Sequence, residues 1–463
     1  MTPLINLNNL TIRSSEATLL APLSLALYHG RPLTILGQTG SGKSLLAQAI
    51  MGLLPASLSS SGTVEIQGRQ RSQKQLEGLW GSDMVMLPQE PWNALDPLMP
   101  CYQQLIEVHQ LVGGKSFKSS YDSAVDDLHR FDLYQHGDKL PQQLSGGMAQ
   151  RLAVAVATAG GAQLLLADEP TKGLDVSRRD DVIALLQQSA VNGGLLTITH
   201  DVEVALKLGG DAIVMNQGKV VERGPIEQLC TSPTHPYTKA LIAAQPKCWP
   251  VTAPPLPRRK PLLDINKLAI GRNGNLLASD IDFTLHQGEI LGVVGDSGCG
   301  KSTLGDTLLG LLAPLAGSVT KIGNTTESHQ WLKLYQDPPA AFTTSVNLGT
   351  LVDDILKLHD ISEAEVAPLM SRLNLSPELL KRPSNHVSGG ELQRFAILRA
   401  LLLKPVFLFA DEPTSRLDPI TAQEVIGLLV EVAREQACAV VLVSHDPMLI
   451  EKVCDRTLRL KSR

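Results

Sequence analysis

Two stretches of the sequence combine glycines, a lysine and a serine in a spacing that is typical of loops that bind the phosphates of a nucleotide. Gly37–Ser44 reads GQTGSGKS and Gly295–Ser302 reads GDSGCGKS, and each lies between a short apolar run and a sequence of helical period. In this order the loop amides turn inward around a phosphate at the start of the helix, the lysine reaches the β- and γ-phosphates, and the final serine binds Mg²⁺. The predicted phosphate-binding residues are Gly37, Gly40, Gly42, Lys43 and Ser44 in the first loop and Gly295, Gly298, Gly300, Lys301, Ser302 and Thr303 in the second.

An acidic pair ends an apolar run in each half of the sequence. Leu164–Pro170 reads LLLADEP and Phe407–Pro413 reads FLFADEP. A strand that ends in this way brings the aspartate near Mg²⁺ and lets the glutamate polarise a water that attacks the γ-phosphate. The predicted residues are Asp168 and Glu169 in the first half and Asp411 and Glu412 in the second.

A second anion-binding feature, SGG before a helical sequence, occurs at Ser145–Gly147 and Ser388–Gly390. Glycine-opened helix N-termini bind anions through their free amides. One ATP does not need two such loops from the same half, which suggests that each ATP is sandwiched between the halves. Candidate residues are Ser145, Gly147, Ser388 and Gly390.

These motifs recur in one order, so the chain is an internal repeat. Lys43 and Lys301 are 258 positions apart, whereas His200 and His445 are 245 apart, so the second copy has lost about a dozen residues. The repeat predicts a first domain over 1–244, a short proline-rich linker over 245–261 and a second domain over 262–463. The first domain continues for some forty residues past its histidine, through THPYTKAL (Thr234–Leu241), and the second does not.

Composition narrows the classes of function. A formal net charge of −5 argues against a general nucleic-acid binder, which needs clustered excess lysine and arginine. The start of the sequence does not resemble a secretory signal, and no apolar run reaches the length of about 20 residues that spans a bilayer. Six scattered cysteines predict neither a disulfide framework nor a zinc site. We therefore expect a cytoplasmic chain whose membrane role, if it has one, comes from a partner.

The ordered set of phosphate loop, glutamine, SGG helix, acidic pair and histidine resembles the nucleotide-binding domain of ATP-binding-cassette (ABC) proteins, twice, over nearly the whole chain. The resemblance implies an α/β fold of two tandem P-loop NTPase domains, each with a RecA-like α/β core, an antiparallel β subdomain and a helical signature subdomain. It also implies that Gln89 and Gln336 sense Mg²⁺ and the γ-phosphate and that His200 and His445 contact the γ-phosphate. Asp175 and Asp418 match the family's D-loop.

The resemblance further implies two composite sites, both with glutamate and histidine in place and both therefore expected to hydrolyse ATP. Catalytic roles fall to Glu169 and His200 and to Glu412 and His445. Mg²⁺ would be bound by Ser44, Gln89 and Asp168 in one site and by Ser302, Gln336 and Asp411 in the other. The first site is Lys43, Ser44, Gln89, Asp168, Glu169 and His200, closed by Ser388 and Gly390; the second is Lys301, Ser302, Gln336, Asp411, Glu412 and His445, closed by Ser145 and Gly147.

Three segments resemble the peptide and nickel importer branch of the family: QEPWNALDPLM, QLSGGMAQR and THPYTKAL. We expect THPYTKAL to be a surface helix outside the ATP chemistry. The residues that follow THPYTKAL, up to residue 261, hold a single cysteine, Cys248, so no iron–sulfur cluster is expected. Neither first strand supplies the aromatic residue that usually stacks on adenine, which leaves the contact to the base open.

The leading hypothesis is a fused ATPase subunit of a bacterial importer, peripheral to the cytoplasmic face of the inner membrane. Its expected partners are two transmembrane permease subunits and a periplasmic or lipid-anchored binding protein, with peptides, nickel or a metallophore as cargo and no nucleic acid. The rival is a soluble tandem ABC ATPase acting on ribosomes, which the short proline-rich linker and acidic charge disfavour. A regulatory scaffold without turnover is disfavoured because both glutamates are present.

Overall fold

The computed structural model describes residues 2–461 except 173, 175, 192, 252–259, 297, 324–327 and 337–341. The chain divides into two compact units, Met1–Ala243 and Ala244–Arg463. Most of the predicted linker, 252–259, lies outside the described residues, and so does Asp175.

The first unit places its strands in two sheets. The antiparallel sheet has the order β2-β1-β4-β5, and the larger sheet has the order β10-β9-β3-β8-β7-β6, parallel except for β10. The strands are β1 Ile5–Arg13, β2 Thr18–Leu27, β3 Leu33–Gly37, β4 Ser59–Ile66, β5 Arg69–Gln70, β6 Met84–Leu87, β7 Leu164–Asp168, β8 Gly194–Thr199, β9 Asp211–Asn216 and β10 Lys219–Pro225.

Helices cover the larger sheet of the first unit. Its central strands β3, β7 and β8 are buried along their whole length, as expected of apolar parallel strands with helices on both faces. The helices are α1 Lys43–Met51, α2 Gln73–Glu77, α3 Cys101–Leu111, α4 Phe117–Arg130, α5 Gly146–Ala159, α6 Val176–Val191, α7 Val202–Leu208, α8 Ile226–Thr231 and α9 Pro236–Ala243.

The second unit repeats this architecture in a shorter form. Its antiparallel sheet has the order β12-β11-β14, and its parallel sheet has the order β15-β16-β17-β13-β18. The strands are β11 Pro261–Arg272, β12 Asn275–His286, β13 Ile290–Val294, β14 Ala316–Lys321, β15 Trp331–Leu334, β16 Phe407–Asp411, β17 Ala439–Val443 and β18 Arg456–Arg459. The helices are α10 Lys301–Leu309, α11 Leu348–Leu358, α12 Val366–Arg372, α13 Gly389–Leu402, α14 Pro419–Glu435 and α15 Pro447–Val453.

The start of the predicted linker is packed rather than extended. Pro246–Cys248 forms a short 3₁₀ turn, and Trp249 is 7% exposed within the hydrophobic core of the second unit. The Trp249 indole donates a hydrogen bond to the Ala244 carbonyl over 2.9 Å. Burial of a large indole favours docking of these residues over the extended chain that the prolines suggest.

In each unit the carboxyl ends of the parallel strands meet at one edge of the sheet, which is where ligands bind in open α/β sheets. The phosphate loops follow β3 and β13, and the acidic pairs end β7 and β16. Across the described part of the chain, no helix combines the length and apolar character needed to cross a bilayer.

Candidate nucleotide-binding sites

At their glycines the two phosphate loops share one backbone conformation. At Gly37, φ is 158°, and a Cβ there would lie 2.3 Å from the Met215 carbonyl oxygen, so the neighbouring strand leaves room only for glycine. Lys43 Nζ donates to the Gly37 and Gln38 carbonyls at 2.7 and 2.8 Å. Lys301 Nζ donates to the carbonyls of Gly295 and Asp296 at 2.7 and 3.0 Å. Each ammonium group is thus held at the mouth of its loop.

The aspartate at the end of each acidic strand faces the last serine of its loop. The Ser44 hydroxyl is hydrogen-bonded to Asp168, and that of Ser302 to Asp411. Burial raises the pKa of both aspartates above the ordinary value, the direction that a nearby cation would reverse. Buried hydroxyl and carboxylate oxygens are the ligands that Mg²⁺ prefers, so these residues fit the predicted ion.

Both glutamates occupy an unusual backbone conformation beside a histidine. φ is 48° at Glu169 and 50° at Glu412, in the left-handed region that residues other than glycine seldom adopt. Such strained positions cluster at functional sites. Glu169 Oε1 lies 2.7 Å from His200 Nδ1, and Glu412 Oε1 lies 2.5 Å from His445 Nε2. The structure therefore brings together each predicted glutamate and histidine.

In the first of these pairs each partner favours the charged form of the other. Burial by itself would raise the pKa of Glu169, but His200 and Lys43 outweigh it and hold that pKa below its ordinary value. Burial by itself would lower the pKa of His200, but the Glu169 carboxylate reverses this and raises it. Glu169 is therefore a carboxylate near neutral pH, the form that accepts a proton from water.

The predicted glutamines reach the sites in different ways. Gln89 lines one pocket together with Leu19, Lys43, Asp168 and Glu169. Gln336 donates from Nε2 to Glu412 Oε2 over 2.8 Å. Residues 337–341, directly after Gln336, and Ser297 of the second loop lie outside the described residues.

The SGG serines cap helices. The Ser145 hydroxyl accepts the Met148 amide at the start of α5, and the Ser388 hydroxyl accepts the Glu391 amide at the start of α13. Neither Ser145 nor Gly147 lines the pocket formed by Lys43, Asp168 and Glu169. The first unit therefore does not bring these two residues to its own phosphate loop.

One charged residue near the second site was missed by the sequence reasoning. Lys333 Nζ lies 2.7 Å from Asp306 Oδ1 and 3.9 Å from Asp411 Oδ2, and its side chain is only 6% exposed. The corresponding positions of the first unit hold Met86 and Gln48. The only sequence signal is a lysine in the otherwise apolar strand WLKL.

THPYTKAL contacts the first site, and the expectation that it lies outside the ATP chemistry is wrong. The hydroxyl of Tyr237, in α9, accepts a hydrogen bond from the Gln38 amide of the phosphate loop over 2.9 Å. The two residues are 199 positions apart, so the motif alone did not indicate the contact.

Fold and site together define a phosphate-loop ATPase. The family model described as "ABC transporter" matches residues 20–172 and 278–415, and the model described as "Oligopeptide/dipeptide transporter, C-terminal region" matches residues 221–269. The chain belongs to the ABC transporter family.

Relatives over nearly the whole length agree with this. The chain is 33% identical to the "Uncharacterized ABC transporter ATP-binding protein YejF" of Escherichia coli (strain K12), over 99% of this chain and 94% of that protein. It is 32% identical to the "Peptidoglycan transport ATP-binding protein YejF" of Agrobacterium fabrum, over 98% and 90%. It is also 32% identical to the "Glutathione import ATP-binding protein GsiA" of Salmonella typhi, over 94% and 80%.

Solved structures are similar at the level of the fold. "RNase-L Inhibitor" gives a TM-score of 0.68 at 20% identity, over 97% of this chain and 87% of the other. The archaeal ribosome recycling factor aABCE1, solved in complex with the ribosomal stalk protein aP1, gives 0.69 at 21% identity over the same shares. At this identity the likeness shows the fold and no shared activity.

The predictions of an ABC ATPase and of the peptide importer branch are confirmed. The chain is an ATPase coupled to transport, the ATP-binding subunit of an importer. The ribosome alternative is less supported because it has only the likeness of fold.

Proposed function

We propose that both units bind and hydrolyse MgATP to power the import of peptides or peptide-like compounds. The observation that carries the proposal is the glutamate–histidine pair beside a phosphate loop in each unit, at 2.7 and 2.5 Å. The match to the oligopeptide/dipeptide transporter region supports the class of cargo.

In this proposal each loop binds the phosphates through its amides and its lysine, Lys43 or Lys301. Mg²⁺, when bound, neutralises phosphate charge. Ser44, Gln89 and Asp168 would hold the ion in the first site, and the second site uses Ser302, Gln336 and Asp411 in the same way.

Hydrolysis is assigned to the glutamates. Glu169 accepts a proton from the attacking water, and its carboxylate form is held by His200. Glu412 takes this role in the second unit, beside His445. We further propose, from the family resemblance alone, that Ser388 and Gly390 close the first nucleotide site and that Ser145 and Gly147 close the second.

Apolar grooves near the glutamines are the proposed contacts to two permease subunits. In the first unit Trp80, 41% exposed, stands in a groove that also includes Pro88, next to Gln89. In the second unit Tyr335, next to Gln336, lies in a groove with Phe342. Exposed aromatic side chains in apolar concavities favour protein partners. The grooves are lined by Met51, Leu53, Trp80, Met84, Pro88 and Ala153, and by Leu332, Leu334, Tyr335, Phe342, Ile355 and Ala400.

The same proposal places the chain at the cytoplasmic face of the bacterial inner membrane, with a periplasmic or lipid-anchored binding protein that delivers cargo. Relatives named for glutathione import and peptidoglycan transport favour short peptides and peptidoglycan-derived peptides. Nickel and metallophores remain predictions from the branch resemblance.

Two measurements test the proposal. Tagged chain purified from its host in mild detergent should bring down two multi-span membrane proteins, identified by mass spectrometry. Uptake of labelled tripeptide should stop in cells that carry Glu169→Gln/Glu412→Gln and continue in cells that carry Glu77→Gln, an exposed control position. Recovery of ribosomal proteins without membrane proteins would contradict the transport assignment.

A further inference from the structure

In the first unit the segment 217–243, which follows β9, is held together by hydrogen bonds between β10 and the start of α9. Glu222 of β10 accepts hydrogen bonds from the Thr234 amide and hydroxyl, both at 2.7 Å, and from the His235 amide at 3.1 Å. These bonds hold the start of α9, whose Leu241 is fully buried. The orientation of Tyr237, one residue inside α9, is thereby set.

Tyr237 acts on a single peptide group of the phosphate loop. Its hydroxyl accepts the Gln38 N–H, and Lys43 Nζ donates to the Gly37 carbonyl of that same peptide group over 2.7 Å. Because the peptide is trans, the two partners hold its opposite ends, and hydrogen bonds in series polarise and strengthen one another. Loss of the tyrosine hydroxyl would remove the hydrogen bond to the N–H of this peptide group and would loosen the position of Lys43.

A further contact joins the same segment to the loop. Gly218, in the turn between β9 and β10, donates its N–H to the Ser41 carbonyl over 3.1 Å. The loop is therefore held by the segment at two places, near its start and near its middle.

The second unit offers an internal comparison. Lys301 makes the same two carbonyl contacts as Lys43, at 2.7 and 3.0 Å. β18, at the position of β9, ends at Arg459, and the residues described beyond it, Leu460 and Lys461, form no further strand or helix. Among the described residues of this unit, no element corresponds to α9.

We propose that Tyr237 is a positioning residue of the first nucleotide site, through which the segment 217–243 sets the ATP affinity of that site and not of the second. This inference rests on the proposed binding of nucleotide by both units. It gives the oligopeptide/dipeptide transporter region, matched over 221–269, a role in nucleotide binding.

The test separates the two sites with loop variants. Lys301→Ala removes binding at the second site, so that only the first site is measured. Lys43→Ala removes binding at the first site, so that only the second is measured. Each variant is prepared with and without Tyr237→Phe. Binding of a fluorescent N-methylanthraniloyl ATP with Mg²⁺ gives Kd. Tyr121→Phe, an exposed tyrosine of α4, is the matched control.

We expect Tyr237→Phe to raise Kd of the first site about fivefold, the effect of one net hydrogen bond. Kd of the second site, the melting temperature without nucleotide and kcat at saturating ATP should stay unchanged, while KM rises. An unchanged Kd at the first site, or equal losses at both sites with a lower melting temperature, would overturn the inference. Absence of nucleotide binding in the wild type would instead overturn the proposed function, and the inference with it.

Discussion

In the second unit Lys333 is paired with Phe409, two residues before Asp411, whereas in the first unit Met86 is paired with Leu166, two residues before Asp168. The lysine is paired with Asp306, where the first unit has Gln48. The phosphate loops, acidic pairs and histidines are alike in both units, but the positions of the buried Lys333–Asp306 ion pair hold Met86 and Gln48 in the first unit.

The glutamates differ in their partners as well. Glu169 accepts a hydrogen bond from Thr199 in addition to its contact with His200, whereas Glu412 accepts one from Gln336. The histidines use different ring nitrogens, Nδ1 in the first unit and Nε2 in the second. The candidate catalytic groups are therefore present in both units, whereas the groups that orient them differ between the units.

The largest expected effect is on ATP turnover, and it tests whether the two glutamates have the same role. Glu169→Gln and Glu412→Gln each remove a proposed general base. General bases typically contribute 10²–10⁴-fold, so turnover at the altered site should fall at least about a hundredfold. Phosphate release by the purified chain measures this, with Glu77→Gln as control. If Glu169→Gln left turnover untouched while Glu412→Gln abolished it, the two sites would not be equivalent.

The next largest effect is on the free energy of unfolding, and it tests the Lys333–Asp306 ion pair of the second unit. Lys333→Met leaves Asp306 without its close partner in a largely buried position, which should cost about 3 kcal/mol of unfolding free energy in the second unit. Lys333→Met/Asp306→Gln reproduces the first unit's methionine and glutamine and should recover most of that loss. Chemical denaturation of the wild type, the single variant and the double variant measures the free energy of unfolding. Equal stability of the single and double variants would show that the pair is not coupled.

The motif residues of both sites were predictable because their chemistry constrains type and spacing together. Strand, glycine loop and helix follow from the sequence around Lys43 and Lys301, and the structure brings each glutamate to its histidine. Lys333 with Asp306 was not predictable because an isolated lysine and aspartate 27 positions apart meet only after the fold forms. Tyr237 was missed for the same reason, since its partner lies in a distant loop.

The Glu169–His200 pair of the first unit predicts a pH dependence of stability. His200 has a raised pKa, so its contribution is complete below the ordinary value of about 6.5 and is lost as the pH rises through the raised value. Glu169 has a lowered pKa, so its contribution is complete above about 4.5 and is lost as the pH falls. The stability difference between wild type and Glu169→Gln should therefore be largest between about pH 4.5 and 6.5.

Denaturation of both chains across pH 4.5–9 measures this difference. It should shrink as the pH rises through the raised pKa of His200. A difference that grew steadily up to pH 9 would contradict a charged Glu169–His200 pair.

The smallest effect is on hydrogen exchange in the segment 217–243 of the first unit. Among the described residues, the second unit has no corresponding segment. Burial works to raise the pKa of Glu222, but the nearby Thr238 hydroxyl and the hydrogen bonds from Thr234 and His235 lower it to about 2. Its stabilisation of α9 is therefore present above its ordinary pKa and lost as the pH falls towards 2. Glu222→Gln should speed hydrogen exchange in 226–243 less than tenfold at pH 6, because this side chain is partly exposed and its bonds are screened.

Hydrogen–deuterium exchange with mass spectrometry measures that change, with peptides from the second unit as the internal control. The difference between wild type and Glu222→Gln should narrow between pH 5 and pH 3. Equal acceleration in both units would mean a global loss of stability instead of release of α9.

We propose that one chain contains two complete nucleotide sites. Titration calorimetry of MgATP into Glu169→Gln/Glu412→Gln, which binds without turnover, tests it most directly. We predict two ATP bound per chain, falling to one when either Lys43→Ala or Lys301→Ala is added. One ATP per chain in the parent variant, lost completely with one lysine substitution and unaffected by the other, would contradict the account.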